Sequence, residues 1–416
     1  MFYKSLHKYF HDAISPRCHA LAGRFPRPYL VLVTMVAVMG YLYLLSFPAL
    51  FIVSAGKIYH ILTSGNTPAF TPSNMAWLSL FLISTLVSFR IFTLRFPVIE
   101  GVRMRRERSP GLFKLLDSLQ DEHPVPTPDR ILVTDRFELQ IIKTPEFGMP
   151  LWNNSTLVIG LPLLQSLSAT HFRCALTRKL VQFNGQGNAL TNWLYQLRDI
   201  WKQYLKSLRN DRHFGDRPLY WFFSLYTPFY RSISTSAAQL DELSADREVL
   251  LTINNDDMFK TIESIIIGKI FLTRHYWPSI RDMIKQDPKA GIMPYSKLEH
   301  VIKSALSQND IKQWLEKQYQ TERHPHDATP SLKARMDILG RNRIKVPGAP
   351  RESAALVYLD TIYQDVVQRI DRKWLKRQRR LSKLCKVSVK KSTGAKPVLG
   401  KLIKPRAYPE PDSVFT

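Results

Sequence analysis

The chain has 416 residues, is 45% hydrophobic and carries a formal net charge of +25. That much apolar material excludes wholesale disorder and suffices for one large domain or two ordinary ones. The charge points to an anionic partner, which lipid headgroups, nucleic acid or an acidic protein would supply. Cys18, Cys174 and Cys385 are far apart, odd in number and form no C-x-x-C pair, so neither a disulfide framework nor a cysteine metal site is suggested, in keeping with a reducing compartment.

Residues 1–28 are a basic segment, read as a cytoplasmic N-terminus. They do not read as a secretory signal, because no small-residue cleavage site follows the apolar run. Two runs then have the length and composition of membrane spans, 29–55 and 75–94, separated by an external loop over 56–74. Tyr29, Tyr41 and Tyr43 are candidate interfacial aromatics, and Pro48 is a candidate kink. Arg90, near the end of the second run, can reach the headgroups. Lys4, Lys8, Arg17, Arg24 and Arg27 precede the first run, and Arg95, Arg103, Arg105, Arg106 and Arg108 follow the second. The connecting loop has only Lys57, so the positive-inside rule puts both termini in the cytoplasm.

A mixed helix and strand segment follows. "GLFKLLDSLQDE" has helical spacing after Ser109-Pro110, and "RILVTD" (130–135) and "STLVIG" (155–160) are short strand-like runs. A helix starts after Ser168, with Phe172, Leu176, Leu180 and Phe183 on one face. Gly185-Gln186-Gly187 interrupts it before the amphipathic run "ALTNWLYQLRDIWKQYLKSL". "PLYWFFSLYTPFY" (218–230) is too short to span a bilayer and suits a core or a membrane interface equally. A helix over 235–254 carries "ELSADREVLL". "HPHDATP" (324–330) reads as a loop, and Ser331 caps the helix "SLKARMDILG".

Residues 346–385 read as one amphipathic helix that turns strongly basic, and 386–416 as a basic, disordered tail. Arg372, Lys373, Lys376, Arg377, Arg379 and Arg380 are the candidate anionic-lipid contacts, with Trp374 and Leu375 dipping into the interface. Nucleic acid is the less economical partner, since no nucleic-acid-binding fold is recognisable.

Residues 109–340 contain a familiar series. "IGLPLLQSLSATHFRCALTRKL", then "LYWFFSLYTPFY", "ELSADR" and "TPSLKARMDILG" stand in the order found in one protease family. The chain resembles the membrane-anchored zinc metallopeptidases related to HtpX and the CaaX prenyl protease. The resemblance implies a mainly α fold with a small β-sheet (α+β, zincin-like), a metallopeptidase-like domain over 95–345, and a bacterial inner-membrane location. Active relatives use zinc, held by two histidines one helical turn apart and a glutamate.

The chemistry is missing from the likeness. Arg178 stands at the first histidine position, Gln182 at the second and Lys179 at the general base; Thr329 replaces a further histidine. Arginine has no lone pair to give, and a protonated lysine cannot activate water. Glu242 and Asp246, the third ligand and its helper in active relatives, remain, and Arg178 is expected to bind both, the alternative being a rotated helix that leaves Arg178 and Lys179 in solvent. No catalytic residue, metal or cofactor is therefore expected, and the chain reads as a pseudoprotease that binds or scaffolds membrane or peptide clients. The alternative is a divergent metalloendopeptidase whose metal sits on Glu242, Asp246 and His324. A hydrolase built on Cys174 and His171 is a third reading, with packing the commoner role for such a pair; G-x-S-x-G does not occur.

Overall fold

The computed structural model describes residues 2–63, 71–123, 125–185, 187–210, 213, 215–287, 291–305, 307–321, 328–340 and 352–392. The chain is mainly helical, with one four-stranded sheet. It opens with α1 (Phe2–Arg24), α2 (Pro26–Thr63) and α3 (Pro72–Thr93). The last two are long and apolar enough to cross a membrane. At 1.5 Å per residue α3 is about 33 Å long and α2 about 57 Å. The two lie side by side, with the Phe51 ring stacked 5.5 Å from that of Phe81. α3 therefore covers only the second half of α2.

The sheet follows. β1 (Val102–Arg103) precedes α4 (Pro110–Glu122), and β2 (Arg130–Thr134), β3 (Leu139–Glu146) and β4 (Met149–Gly160) come next. The order is β1-β2-β4-β3, with β2 and β4 parallel and the other two pairs antiparallel, so β3 is an edge strand. The expected strand at 155–160 is the second half of β4. Strand β3 has no counterpart in the sequence reading, because "LQIIKTPE" mixes polar residues and a proline without clean alternation.

Helices supply the rest: α5 (Leu161–Ser166), α6 (Ala169–Asn184), α7 (Ala189–Asn210), α8 (Asp216–Ile233), α9 (Thr235–Val249) and α10 (Asn255–Phe271). A π-helical turn, Leu272–Tyr276, leads into α11 (Trp277–Gln286), then α12 (Pro294–Ala305), α13 (Gln308–Gln320) and α14 (Leu332–Ile338). The aromatic run 218–230 lies within α8. Its Tyr226 and Tyr230 are buried against α2 and α7, with Tyr226 Oη donating to the Val36 carbonyl (2.8 Å) and Tyr230 Oη to that of Leu194 (2.9 Å). Two large cores result. One surrounds the sheet, with Leu112, Val133, Leu157 and Leu176; the other joins α2 to α7 and α8 through Tyr29, Trp201 and Phe223.

Several boundaries differ from the sequence reading. The basic segment 1–28 contains helix α1, which packs on α8 and α9. The single helix expected over 346–385 is divided into α15 (Ala354–Leu359), a 3₁₀ turn (Asp360–Ile362) and α16 (Tyr363–Ser392), with Asp360 at φ +35° marking the break. Helix α16 also runs into the stretch expected to be disordered; 393–416 lies outside the described residues.

The apolar face of α16 does not wait for lipid. Trp374 is buried in the sheet-side core with Val366, Val367 and Ile370, and Leu375 packs against that core. Sequence periodicity reveals an apolar stripe but cannot say what covers it. Asp371, on the same buried face, fastens the helix as well. Its carboxylate accepts from the Tyr295 and Ser296 amides at the start of α12 (3.0 and 3.1 Å) and from Ser296 Oγ (2.5 Å). Asp371→Ala strands those amides at a helix N-terminus, so it is expected to cost about 1–2 kcal/mol. Limited proteolysis should then cut within α16 sooner than in the parent; equal rates would show that Trp374 alone holds it.

Candidate functional site

Three helices build a closed polar cluster. Helix α6 begins at Ser168, whose Oγ accepts from the His171 amide (3.2 Å), and places Arg178, Lys179 and Gln182 toward the interior. It stops at Gly185, whose φ of +70° suits glycine, while Asn192 Nδ2 donates to the Phe183 carbonyl (3.0 Å). Helix α9 presents Asp241, Glu242 and Asp246; the last two, four residues apart, share one face. Helix α14, capped by Ser331 Oγ on the Ala334 amide (3.1 Å), brings in Arg335.

Arg178 lies between Glu242 and Asp246. Its Nη2 donates to Glu242 Oε2 (2.5 Å) and its Nε to Asp246 Oδ1 (2.5 Å). Arg335 grips Asp246 from the far side with two bonds, Nε to Oδ2 (2.7 Å) and Nη2 to Oδ1 (2.9 Å). Lys179 Nζ donates to Gln182 Oε1 (2.9 Å) and Glu242 Oε1 (3.3 Å). Gln182 Nε2 donates to Asp241 Oδ2 (2.8 Å) and Glu242 Oε1 (3.2 Å). Glu242 and Asp246 are 0% exposed and Arg178 4%, so solvent does not screen these contacts. The cavity beside Arg178 and Lys179 is about 20 Å³, room for one water and not for a peptide bond.

The fields are strong. Burial raises the Glu242 carboxyl, but Lys179 and Arg178 outweigh it and hold the group well below the usual range. Asp246 is likewise held down by Arg178 and Arg335 against its burial. Burial lowers the Lys179 ammonium, with Glu242 opposing. Arg178 is raised because its two acids overcome the same desolvation. Asp241 is different: burial pushes its carboxyl from 3.8 up to about 7, against the hydrogen bond from Gln182.

These shifts give opposite pH dependences. Stability from Glu242 and Asp246 is present above the ordinary carboxylate range and is lost as the pH falls through their depressed values. The folded chain holds the Asp241 proton longer than the unfolded chain does. That contribution is full below about pH 4 and is lost as the pH rises to about 7. The apparent Tm in detergent is therefore expected to fall across this window, and Asp241→Asn to flatten the fall. An unchanged slope in the variant would assign the titration elsewhere.

As a metal site the cluster fits poorly. Arginine and lysine offer no lone pair while charged, and Glu242 already receives hydrogen bonds on both oxygens. Of the alternative ligand set, Glu242 and Asp246 are committed to arginines, and His324 lies outside the described residues. Among the described residues no group of three or more His, Cys, Asp or Glu side chains is placed to hold a metal ion. Thr329 is buried, close before α14. Cys174 and His171 are turned to different neighbours: Cys174 contacts Met258 Sδ (3.5 Å), His171 Nδ1 contacts Ser264 Oγ (3.3 Å), and burial pushes the thiol up to about 11. That is the environment of a packed thiol and not of a nucleophile.

Arg335 and Asp241 had no role in the sequence reading. Arg335 lies within "TPSLKARMDILG" and Asp241 directly precedes "ELSADR", but a partner on another helix leaves no trace in local spacing. The available signal was composition: α9 holds four acids, and the three that are buried, Asp241, Glu242 and Asp246, could be buried together only against cations.

No family model matches the chain, and no curated protein and no solved structure matches it. What the fold and site define is a class: a helical protein with two apolar N-terminal helices and a buried lock of charges joining three helices.

Proposed function

We propose that this chain is a membrane-embedded, catalytically silent relative of the HtpX-type zinc metallopeptidases, which holds protein segments and does not cut them. The observation that carries the reading is the Arg178 guanidinium bridging Glu242 and Asp246. It puts fixed positive charge between the two acids that would support a metal in an active relative. The zincin-like fold assignment rests on the motif order, together with the strand–helix succession β4, α5, α6. Membrane embedding is supported by α2 and α3, only 22% of whose most apolar windows is buried. Both termini lie in the cytoplasm in this reading, at a bacterial inner membrane.

Client binding draws on the edge position of β3, beside α6 and α7, where an extended chain can add main-chain hydrogen bonds without a metal. The exposed face of α16, with Arg372, Lys373, Lys376, Arg379 and Arg380, suits anionic lipid. Arg377 is shared with Asp135 (3.0 Å).

Elemental analysis of the detergent-purified protein tests the reading. The parent is expected to hold no more zinc than Glu242→Ala. Near-stoichiometric zinc in the parent, lost in Glu242→Ala, would overturn it and make proteolysis assays the next step.

A further inference from the structure

The tip of the β3–β4 hairpin carries two costs at once. Phe147 and Gly148 both have positive φ, +49° and +70°. Glycine accepts this freely, whereas a bulky side chain resists it. Phe147 is nevertheless 72% exposed, and Trp152, in the bulge just above, is 58% exposed. An exposed aromatic in a strained turn gains nothing from the fold itself.

The position of the tip accounts for both. A Cβ added at Gly148 would overlap the Ile91 carbonyl oxygen, so the hairpin abuts the last turn of α3. Met149 beside it is buried with Ile91 and Leu94. The outer face of α3 at that level is bare and apolar, with Phe89 69% exposed.

A second element reaches a similar depth. Arg90 pairs with Asp216 at the start of α8 (2.6 Å). Tyr43 Oη donates to the Pro218 carbonyl (2.9 Å) and Tyr29 Oη to that of Ile233 (2.7 Å), so α8 runs antiparallel to the part of α2 that α3 leaves uncovered. Trp221 is 73% exposed, just over one turn from Asp216. The exposed aromatics of hairpin and helix thus cluster near the C-terminal end of α3.

We propose that Phe147 and Trp152 of the hairpin, with Trp221 of α8, insert into the cytoplasmic interface of the bilayer and seat the domain against the membrane. The occupant is lipid because the hairpin tip abuts the last turn of α3, whose Phe89 and Phe92 are themselves exposed on an apolar helix long enough to span a bilayer. Aromatic side chains are at home at that depth, where one end is apolar and the other wet. The proposal rests on the reading of α2 and α3 as spans. It gives the domain a membrane attachment besides the two spans and the basic face of α16.

The test uses the full chain in vesicles of phosphatidylethanolamine and phosphatidylglycerol. An environment-sensitive fluorophore is placed at Phe147→Cys, Trp221→Cys, Phe89→Cys and Lys312→Cys, with signal from native cysteines measured on the parent and subtracted. Spin-labelled lipids serve as quenchers. Phe89→Cys reports the span, and Lys312→Cys, on the exposed face of α13, should remain unquenched. Quenching at Phe147→Cys and Trp221→Cys by shallow spin labels is expected. Quenching at Phe89→Cys alone would overturn the proposal and leave the spans standing. No quenching at any site would remove the spans and the proposal together. Protection of Phe147→Cys from aqueous iodide without lipid quenching would mean that protein covers it, and would also overturn the proposal. Hydroxyl-radical footprinting of Trp152 and Trp221 in the unsubstituted chain covers the case of a misfolded variant; oxidation in vesicles at the rate seen in unfolded protein would reject insertion.

Discussion

Arg178→Ala is expected to destabilise the protein by about 3–5 kcal/mol, the cost of leaving a buried ion pair half made. Glu242 would lose its 2.5 Å bond and Asp246 one of its two arginines. Both carboxylates are 0% exposed, so water cannot replace the guanidinium without opening the interface between α6 and α9. The apparent Tm of detergent-solubilised protein reads the loss. Removing both partners should hurt less than the single changes sum to. Arg178→Met with Glu242→Gln eliminates two charges of opposite sign and leaves neither alone. Additive losses in that cycle would show that the two residues act independently, against the hydrogen bond between them.

The second large effect is a gain. Arg178→His, Lys179→Glu and Gln182→His together are expected to give a chain that takes up close to one zinc. Arg178 and Gln182 both reach the Glu242 carboxylate, at 2.5 and 3.2 Å, from positions four apart on one helix face. Histidines there converge with that carboxylate as two nitrogen donors and one oxygen. Without metal the triple variant buries acids with only Arg335 opposing them, so its stability should depend on zinc. Saturating metal would restore about 4 kcal/mol at a thousandfold excess over Kd. Elemental analysis and Tm with and without a chelator check this, and adding Glu242→Ala should abolish the uptake. A folded triple variant that ignores zinc would sink the resemblance, because the helix pair would then not have the spacing of a zinc site.

Much of the local structure is legible along the chain. Ser168 and Ser331 cap the helices expected of them, and Gly185 ends α6 where its positive φ is needed. Helix caps and apolar periodicity act over a few residues, so a linear reading detects them. Strand β3 was invisible because its pairing partner, β4, supplies what its own pattern lacks. The last helix misled for a related reason. Its basic, amphipathic pattern fits a membrane surface, yet the stripe holding Trp374 closes the sheet-side core.

The sequence by itself determined that Arg178, Lys179 and Gln182 stand where the resemblance would put two histidines and a glutamate, and no fold can make a charged arginine donate a lone pair. It also determined two apolar helices, whose length and lack of charge depend on no contact. The tertiary structure alone decided what those side chains meet. Arg178, Lys179, Gln182 and Arg335 meet Asp241, Glu242 and Asp246 from three helices. Each buried charge is tolerable only through a partner distant in the chain. Such pairing is a property of packing and not of spacing, as is the hairpin tip that meets the end of α3.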